Sequence, residues 1–328
     1  MNNGQDRAMR DIVEVVERCD RFVVATHVRP DGDAIGSVLA LTYMLRKLGK
    51  TADPYCQDAV PPAQAFLPGS SEIRHRLNKP DHYAAAVLVD CGSYLRVGDD
   101  LAKSIRAIAT VVNIDHHVND SPFGNPYWVD STASSTCEML YRLGAHLRLA
   151  LDPDIATQLY TGLLTDTGSF RFSNTNQTVL QIAASLVAAG AQPAYIAEQI
   201  YESASPESMQ LLARMLATID FAADNRLATA ELTRQMFEET DTTPVNSEGF
   251  INHLRSVKSV ELAMLFREDA NGKIHVSLRS KGAVDVAAFA QRFDGGGHRR
   301  AAAFRVAGSL PRTRVEFTRQ ALAYLLGA

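Results

Sequence analysis

The chain opens on helical spacing, with Ile12, Val15 and Val16 on one side of residues 11–18, and then changes period. Residues 21–26 (Arg-Phe-Val-Val-Ala-Thr) read as a short buried strand. Residues 34–48 carry Ile35, Val38, Leu39, Thr42, Leu45 and Leu48 at steps of three and four, with Gly49 as the stop signal. Strands follow at 51–55, 84–89 and 109–114, with a crossover helix at 99–108. The last two strands are continuously apolar rather than alternating, which marks strands covered on both faces, and they run into Asp90 and Asp115. This order predicts an α/β fold around a parallel sheet.

From Ser134 the pattern is helical, at 134–143, 154–164, 177–188, 193–201 and 206–217. Beyond it come strands at 219–221, 227–230, 260–266 and 273–279, with Asn271-Gly272 as a hairpin signal, and helices at 285–293 and 314–326. The expected organisation is a first α/β domain over 1–190, a helical linker over 191–212 and a smaller mixed α+β domain over 213–328. No repeat and no Ser/Gly tether interrupts it.

Composition narrows the class. Of 328 residues, 46% are hydrophobic, and 33 Lys and Arg face 37 Asp and Glu for a net charge of -4. Such a chain buries a core, and its mild acidity speaks against coating long duplex DNA, which needs a broad basic footprint. The charge is uneven: residues 1–194 hold 17 basic and 21 acidic side chains, residues 260–328 hold 11 and 6. The four cysteines, at 19, 56, 91 and 137, form no CxxC pair, so a reducing cytosol is expected. No run of the roughly 20 apolar residues that span a bilayer is present, and no membrane partner is expected.

The chemistry gathers at strand ends. The first strand leads into His27, Asp31 and Asp33, the second into Asp90, the third into Asp115-His116-His117; Asp166 follows an apolar helix. In open parallel sheets the crevice beyond the carboxyl ends of the strands holds the ligand, so these segments are expected to converge. Taken singly, Asp33 is a helix cap, His27 or His117 a structural histidine, Asp90 a turn former. Together, crowded carboxylates repel unless divalent cations neutralise them. Two ions sharing one carboxylate can clamp a phosphate and activate water, and mixed imidazole and carboxylate donors suit Mn, Fe, Co or Zn. The polar run 132–136 is accounted for by helix capping.

In the basic tail, Gly295-Gly296-Gly297-His298 suits backbone N–H groups turned towards an anion, and the Arg279 fork suits a terminal phosphate. There is no Walker or Rossmann glycine pattern.

The segments 27–37, Val89-Asp90, Asp115-His116-His117 and Thr165-Asp166-Thr167-Gly168 resemble the four motifs of the DHH phosphoesterase family. Residues 277–281 with the Gly-Gly-Gly-His run resemble its DHHA1 substrate-binding domain, so the resemblance spans nearly the whole chain. Within the family it lies nearest the bacterial branch that combines oligoribonuclease and adenosine 3',5'-bisphosphate phosphatase activities. That resemblance implies a parallel-sheet DHH domain joined by a helical linker to a DHHA1 domain, with the active site in the inter-domain cleft. It implies His27, Asp31 and Asp90 on one ion, and Asp33, Asp90, His116 and Asp166 on the other. Asp115 would orient His116, and His117 would face the reacting phosphate. Asn252 and Arg255, with Arg279, Gly295, Gly296, Gly297 and His298, would bind substrate.

Manganese is the implied ion, with Mg, Co or Fe as substitutes. Short single-stranded RNA and small phosphorylated nucleotides are the implied partners, and a homodimer suits the class. Two departures bear on substrate choice: Asp294 and Ala303 stand where the family commonly has glycine. A cyclic- or linear-dinucleotide phosphodiesterase is the alternative on the same metal core, and a nucleotide-binding module without catalysis is the non-enzyme alternative.

Overall fold

In the computed structural model, which describes residues 3–118, 121–269 and 271–327, the chain divides into two units, Met1–Ser203 and Ala204–Ala328. The first contains, in order, α1 (Asn3–Arg18), β1 (Arg21–Ala25), α2 (Gly32–Lys47), β2 (Thr51–Tyr55), β3 (Ala85–Val89), α3 (Asp99–Ile105), β4 (Thr110–Asp115), β5 (Tyr127–Val129), α4 (Thr136–His146), α5 (Pro153–Asp166), α6 (Gln177–Ala188) and α7 (Pro193–Tyr201). Its five strands run parallel in the order β2-β1-β3-β4-β5.

The continuous apolar runs have the expected cause. Phe22, Val24, Ala85, Val87 and Val89 pack on one side, with residues of α2, α4 and α5. Val23, Ala25, Ala86 and Leu88 pack on the other, with Leu101, Ala102 and Ile105 of α3. Chain order reverses between β1 and β3, and that switch point opens a crevice at the carboxyl ends of the strands.

β5 was absent from the sequence expectation. It is three residues long, too short to show a period, and is anchored by the fully buried Trp128. Glycines let α2 approach α5: a Cβ on Gly36 would stand 2.5 Å from the Gln158 carbonyl oxygen, and one on Gly32 would stand 2.5 Å from Thr165 Cγ2.

The second unit contains α8 (Pro206–Leu216), β6 (Asp220–Ala222), β7 (Leu227–Leu232), α9 (Arg234–Glu239), α10 (Ile251–Ser256), β8 (Leu262–Glu268), β9 (Lys273–Ser280), α11 (Val286–Gln291), β10 (Gly296–His298), β11 (Ala301–Ala307) and α12 (Leu310–Leu326). Its sheet order is β10-β11-β9-β8-β7-β6, antiparallel except for the parallel pair β7/β8. One face packs on α11 and α12 through Met264, Phe266, Val276, Leu278 and Phe289. On the other, Ala263 and Leu265 pack with Leu211, Phe237 and Leu254 of α8, α9 and α10.

The glycine run departs from the anion-nest expectation. Gly296 and Gly297 lie in an edge strand paired with Ala303 and Ala302. A Cβ on Gly297 would stand 2.4 Å from the Ala301 carbonyl oxygen, and one on Gly295 would stand 2.5 Å from that of Ala303. Close backbone approach therefore explains Gly295 and Gly297, while Gly296 faces open space. Asp294 has φ 55°, the left-handed region where glycine is at ease and aspartate is among the tolerated side chains. Among the described residues no single helix is long and apolar enough to cross a membrane.

Candidate metal centre

Three neighbouring strands deliver the site. Beyond β1, His27 donates its Nδ1–H to the Val28 carbonyl, 3.0 Å away. Beyond β3, Asp90 adopts φ 55°, its N–H bonded to the Ile114 carbonyl at 3.0 Å. The Asn113 amide on β4 donates to the carbonyls of Leu88 and Cys91, at 3.3 and 3.2 Å, and so pins the chain on both sides of Asp90. Beyond β4 come His116 and His117. Asp31 is the N-cap of α2, accepting from the Ala34 N–H at 3.0 Å; Asp33, the expected cap, sits inside the first turn with its carboxylate free for other partners. Asp166 ends α5.

These side chains meet. His27, Asp31 and Asp90 offer donor atoms within 4.8 Å of one another, as do Asp33, His116 and Asp166. His27 Nε2 is 3.4 Å from Asp90 Oδ2, and His116 Nε2 is 3.5 Å from Asp90 Oδ1. The two oxygens of Asp90 thus look towards different triples. His116 Nε2 also stands 3.1 Å from Asp166 Oδ2 and 3.8 Å from Asp33 Oδ2.

The donor set fits two divalent ions. Donors on one ion, with bonds of about 2.1 Å, stand roughly 3–3.5 Å apart, close to the 3.1–3.8 Å separations of His27 and His116 from their carboxylates. With Nδ1–H donated to Val28, a neutral His27 turns its Nε2 lone pair on a carboxylate oxygen, a contact that calls for a cation between them.

Asp115 departs from its expected role. Its Oδ1 pairs with His117 Nδ1 at 2.7 Å, so it orients His117. A third triple, Asp90, His116 and His117, overlaps the others. There His117 Nδ1 is 3.5 Å from Asp90 Oδ1 and lies closer to Asp115.

Electrostatics follow from burial and crowding. Burial alone would lower the pKa of His27, but Asp90 and Asp31 outweigh it and raise it. Burial likewise opposes a charged His116, yet Asp166, Asp90 and Asp33 push its pKa well up. Asp33 is raised well above the carboxylate range by burial and by Asp90 and Asp166. Asp166 is raised by burial despite His116. Asp90, though buried, is held well below that range by His27, His117 and His116.

A raised histidine binds its proton more tightly folded than unfolded. Its stabilisation is therefore present below about pH 6.5 and lost as pH rises through the raised value. Asp33 and Asp166 act in the same direction. Asp90 contributes stability above its unfolded value, lost only as pH falls. The metal-free protein is thus expected to lose thermal stability as pH rises above about 6.5, the unfolded histidine value. Added Mn2+, competing with those protons, should raise Tm by an increment that grows with pH. Thermal melts of chelator-treated protein with and without Mn2+ check this; an increment that shrinks with pH contradicts it.

Three contributors were not singled out from sequence. The N–H groups of Thr136 and Cys137, at the start of α4, hold Asp33 Oδ2 and Oδ1 at 2.7 and 2.9 Å. Gly162 leaves room for them: a Cβ there would stand 2.6 Å from Asp33 Oδ1 and 2.3 Å from Cys137 Sγ.

The expected substrate groups lie in the second unit. Register places Arg279 opposite Ala301 and Ala301 opposite the backbone of His298; the His298 side chain lies outside the described residues. Arg255, on α10, donates from Nε to the carbonyl of Ser280, next to Arg279, at 3.2 Å. Asn252 is exposed on the same short helix. Arg171 is bonded to the Gly168 carbonyl at 2.7 Å.

Residues 21–163 match the DHH family, N-terminal domain, and residues 224–325 match the DHHA1 domain. The chain belongs to the DHH phosphoesterase family, in the form that carries a DHHA1 domain. It is 34% identical over 291 residues (88% of this chain, 86% of the relative) to the bifunctional oligoribonuclease and PAP phosphatase NrnA of Thermus thermophilus. It is 28% identical over 291 residues (88% and 90%) to the protein of that name in Bacillus subtilis. The crystal structure of an exopolyphosphatase-related protein from Bacteroides fragilis matches with a TM-score of 0.88 at 28% identity, covering 97% of this chain and 96% of that one.

Proposed function

We propose that this chain is a two-metal phosphoesterase that hydrolyses short RNA oligonucleotides to mononucleotides and removes the 3'-phosphate of adenosine 3',5'-bisphosphate. The observation that carries this reading is the meeting of two donor triples at Asp90. It stands in a chain whose Thermus and Bacillus relatives, matched over most of their length, are named for both activities.

His27, Asp31 and Asp90 would hold one ion; Asp33, Asp90, His116 and Asp166 would hold the other. Manganese suits the mixed imidazole and carboxylate donors. The ions, when bound, supply Lewis acidity to phosphoryl oxygens and acidify water enough for attack at neutral pH. The protein's own part is placement. Asp90 ties the two positions together. Asp115, on Nδ1 of His117, fixes the ring so that Nε2 can hold a proton at a phosphate or leaving oxygen. Arg279, with Arg255, Asn252 and the segment from Gly295 to His298, would hold the terminal phosphate end, converting binding into orientation.

The test is side-by-side turnover of 5'-phosphorylated di- to pentaribonucleotides, adenosine 3',5'-bisphosphate, cyclic di-AMP and pyrophosphate with Mn2+. The first two classes should lead by about 100-fold or more in kcat/KM; a lead for cyclic di-AMP overturns the reading. Arg279→Ala should raise KM roughly 10–100-fold for 5'-phosphorylated substrates, the worth of a charged hydrogen-bond pair. Its effect on a small generic phosphodiester should be slight. Equal losses on both would reject the terminal-phosphate role.

A further inference from the structure

The polar run at the start of α4 holds more than its capping explains. Ser135 is the N-cap, its side chain accepting from the Glu138 N–H at 3.0 Å. Glu138 in turn accepts from both the N–H and the hydroxyl of Ser134, each at 2.8 Å. Thr136 is not needed for either contact. Fully buried, it spends its two donors on the metal centre instead: its N–H on Asp33 Oδ2 at 2.7 Å and its hydroxyl on Asp90 Oδ1 at 3.2 Å. One residue therefore touches a carboxylate of the second triple and the carboxylate assigned to both.

The contact with Asp90 is selective between its oxygens. Oδ2 faces His27 at 3.4 Å, while Oδ1 faces His116 at 3.5 Å. A carboxylate that bridges through both oxygens, as the two faces of Asp90 suggest, must keep one for each ion, yet its terminal torsion is broad and nearly two-fold, so nothing intrinsic to the side chain holds that plane. A hydroxyl donating to Oδ1 from a rigid helix start supplies the restraint.

We propose that Thr136 is a positioning residue for the bridging carboxylate, its hydroxyl setting the plane of Asp90 so that each oxygen serves one ion. This rests on the two-metal reading above. Outer contacts of this kind typically matter by 10–100-fold in metal affinity.

The experiment compares wild type, Thr136→Val, Thr136→Ala and Thr136→Ser, all checked for folding by circular dichroism. Mn2+ affinity and stoichiometry are read by calorimetry, and kcat and KM on adenosine 3',5'-bisphosphate. Loss of the hydroxyl, in the valine or alanine variant, should weaken Mn2+ binding about 10–100-fold. It should lower kcat at limiting Mn2+, restore it in excess Mn2+, and leave KM unchanged. Serine, which keeps the hydroxyl, should stay within about threefold of wild type. Alanine gives the same reading if valine does not fold. Wild-type affinity in a folded hydroxyl-free variant overturns the proposal, as does a serine variant as damaged as the valine one. Fewer than two Mn2+ on the unsubstituted protein would instead overturn the two-metal reading itself.

Discussion

Asp90→Asn is expected to cut hydrolysis by on the order of 10³-fold or more while leaving the fold in place. The loss follows from position. Asp90 is the carboxylate that both donor triples approach, at 3.4 Å from His27 and 3.5 Å from His116, and an amide is a poor substitute for a charged ligand. Transition-state stabilisation by metal ions is worth several kcal/mol, and about 1.4 kcal/mol is a factor of ten in rate. The fold should survive because asparagine, like aspartate, tolerates the left-handed backbone found there. The Asn113 bonds around the turn go to main-chain carbonyls and are untouched. Steady-state kinetics with Mn2+, beside thermal melts, check this; near-normal metal-dependent turnover would reject Asp90 as the shared ligand. The substitution should also flatten the pH dependence of metal-free stability, since Asp90 is a cause of the raised pKa values of His27 and His116.

Gly162→Ala should be the second large effect, on activity more than on stability. Alanine is the better helix former by about 1 kcal/mol. Its methyl, however, would overlap Cys137 Sγ and Asp33 Oδ1, and overpacking a close-packed site costs roughly 1–3 kcal/mol. The net change in Tm should be a few degrees downward. The carboxylate must give way, and a misplacement of about 1 Å can cost on the order of 10²-fold in rate. Gly144→Ala on α4 is the control: its Cβ would meet the flexible end of Met44 at 3.1 Å, and both Tm and kcat should hold. Wild-type kcat in Gly162→Ala would show that Asp33 does not need its present seat.

Much of this architecture was legible because the chemistry sits at the ends of apolar runs. Val89-Asp90 and Ile114-Asp115 announce strand, end and carboxylate together, and the switch-point rule says where such ends meet. What stayed hidden depends on contacts across long separations. Thr136 bonds Asp33 from 103 residues away, and Gly162 matters only because α5 lies against Cys137; neither leaves a local pattern. Asp31 and Asp33 are both plausible caps by composition, and only backbone geometry at the start of α2 separates them. Asp115 precedes two histidines, and the pairing with the second is a matter of ring direction. The glycine run was harder still. Flexible turn, anion nest and tightly packed edge strand use the same letters, and its partner β11 begins Ala-Ala-Ala, a poor strand signal. Within β11, Ala302 and Phe304 join the core, which decides the matter in the folded chain.

The buried cysteines bring a consequence for ion selection. Cys91 follows Asp90 in the chain, and Cys137 Sγ lies 3.8 Å from the Asp33 carbonyl oxygen. Burial first, and then the neighbouring aspartates, pushes both thiols well above their ordinary range. Burial, aided by the neighbouring carboxylates, thereby silences the adjoining sulfur, since a protonated thiol is a weak donor and hardly a ligand. The sulfur beside the site is kept out of the ligand set, which leaves imidazole and carboxylate as the donors offered to an ion.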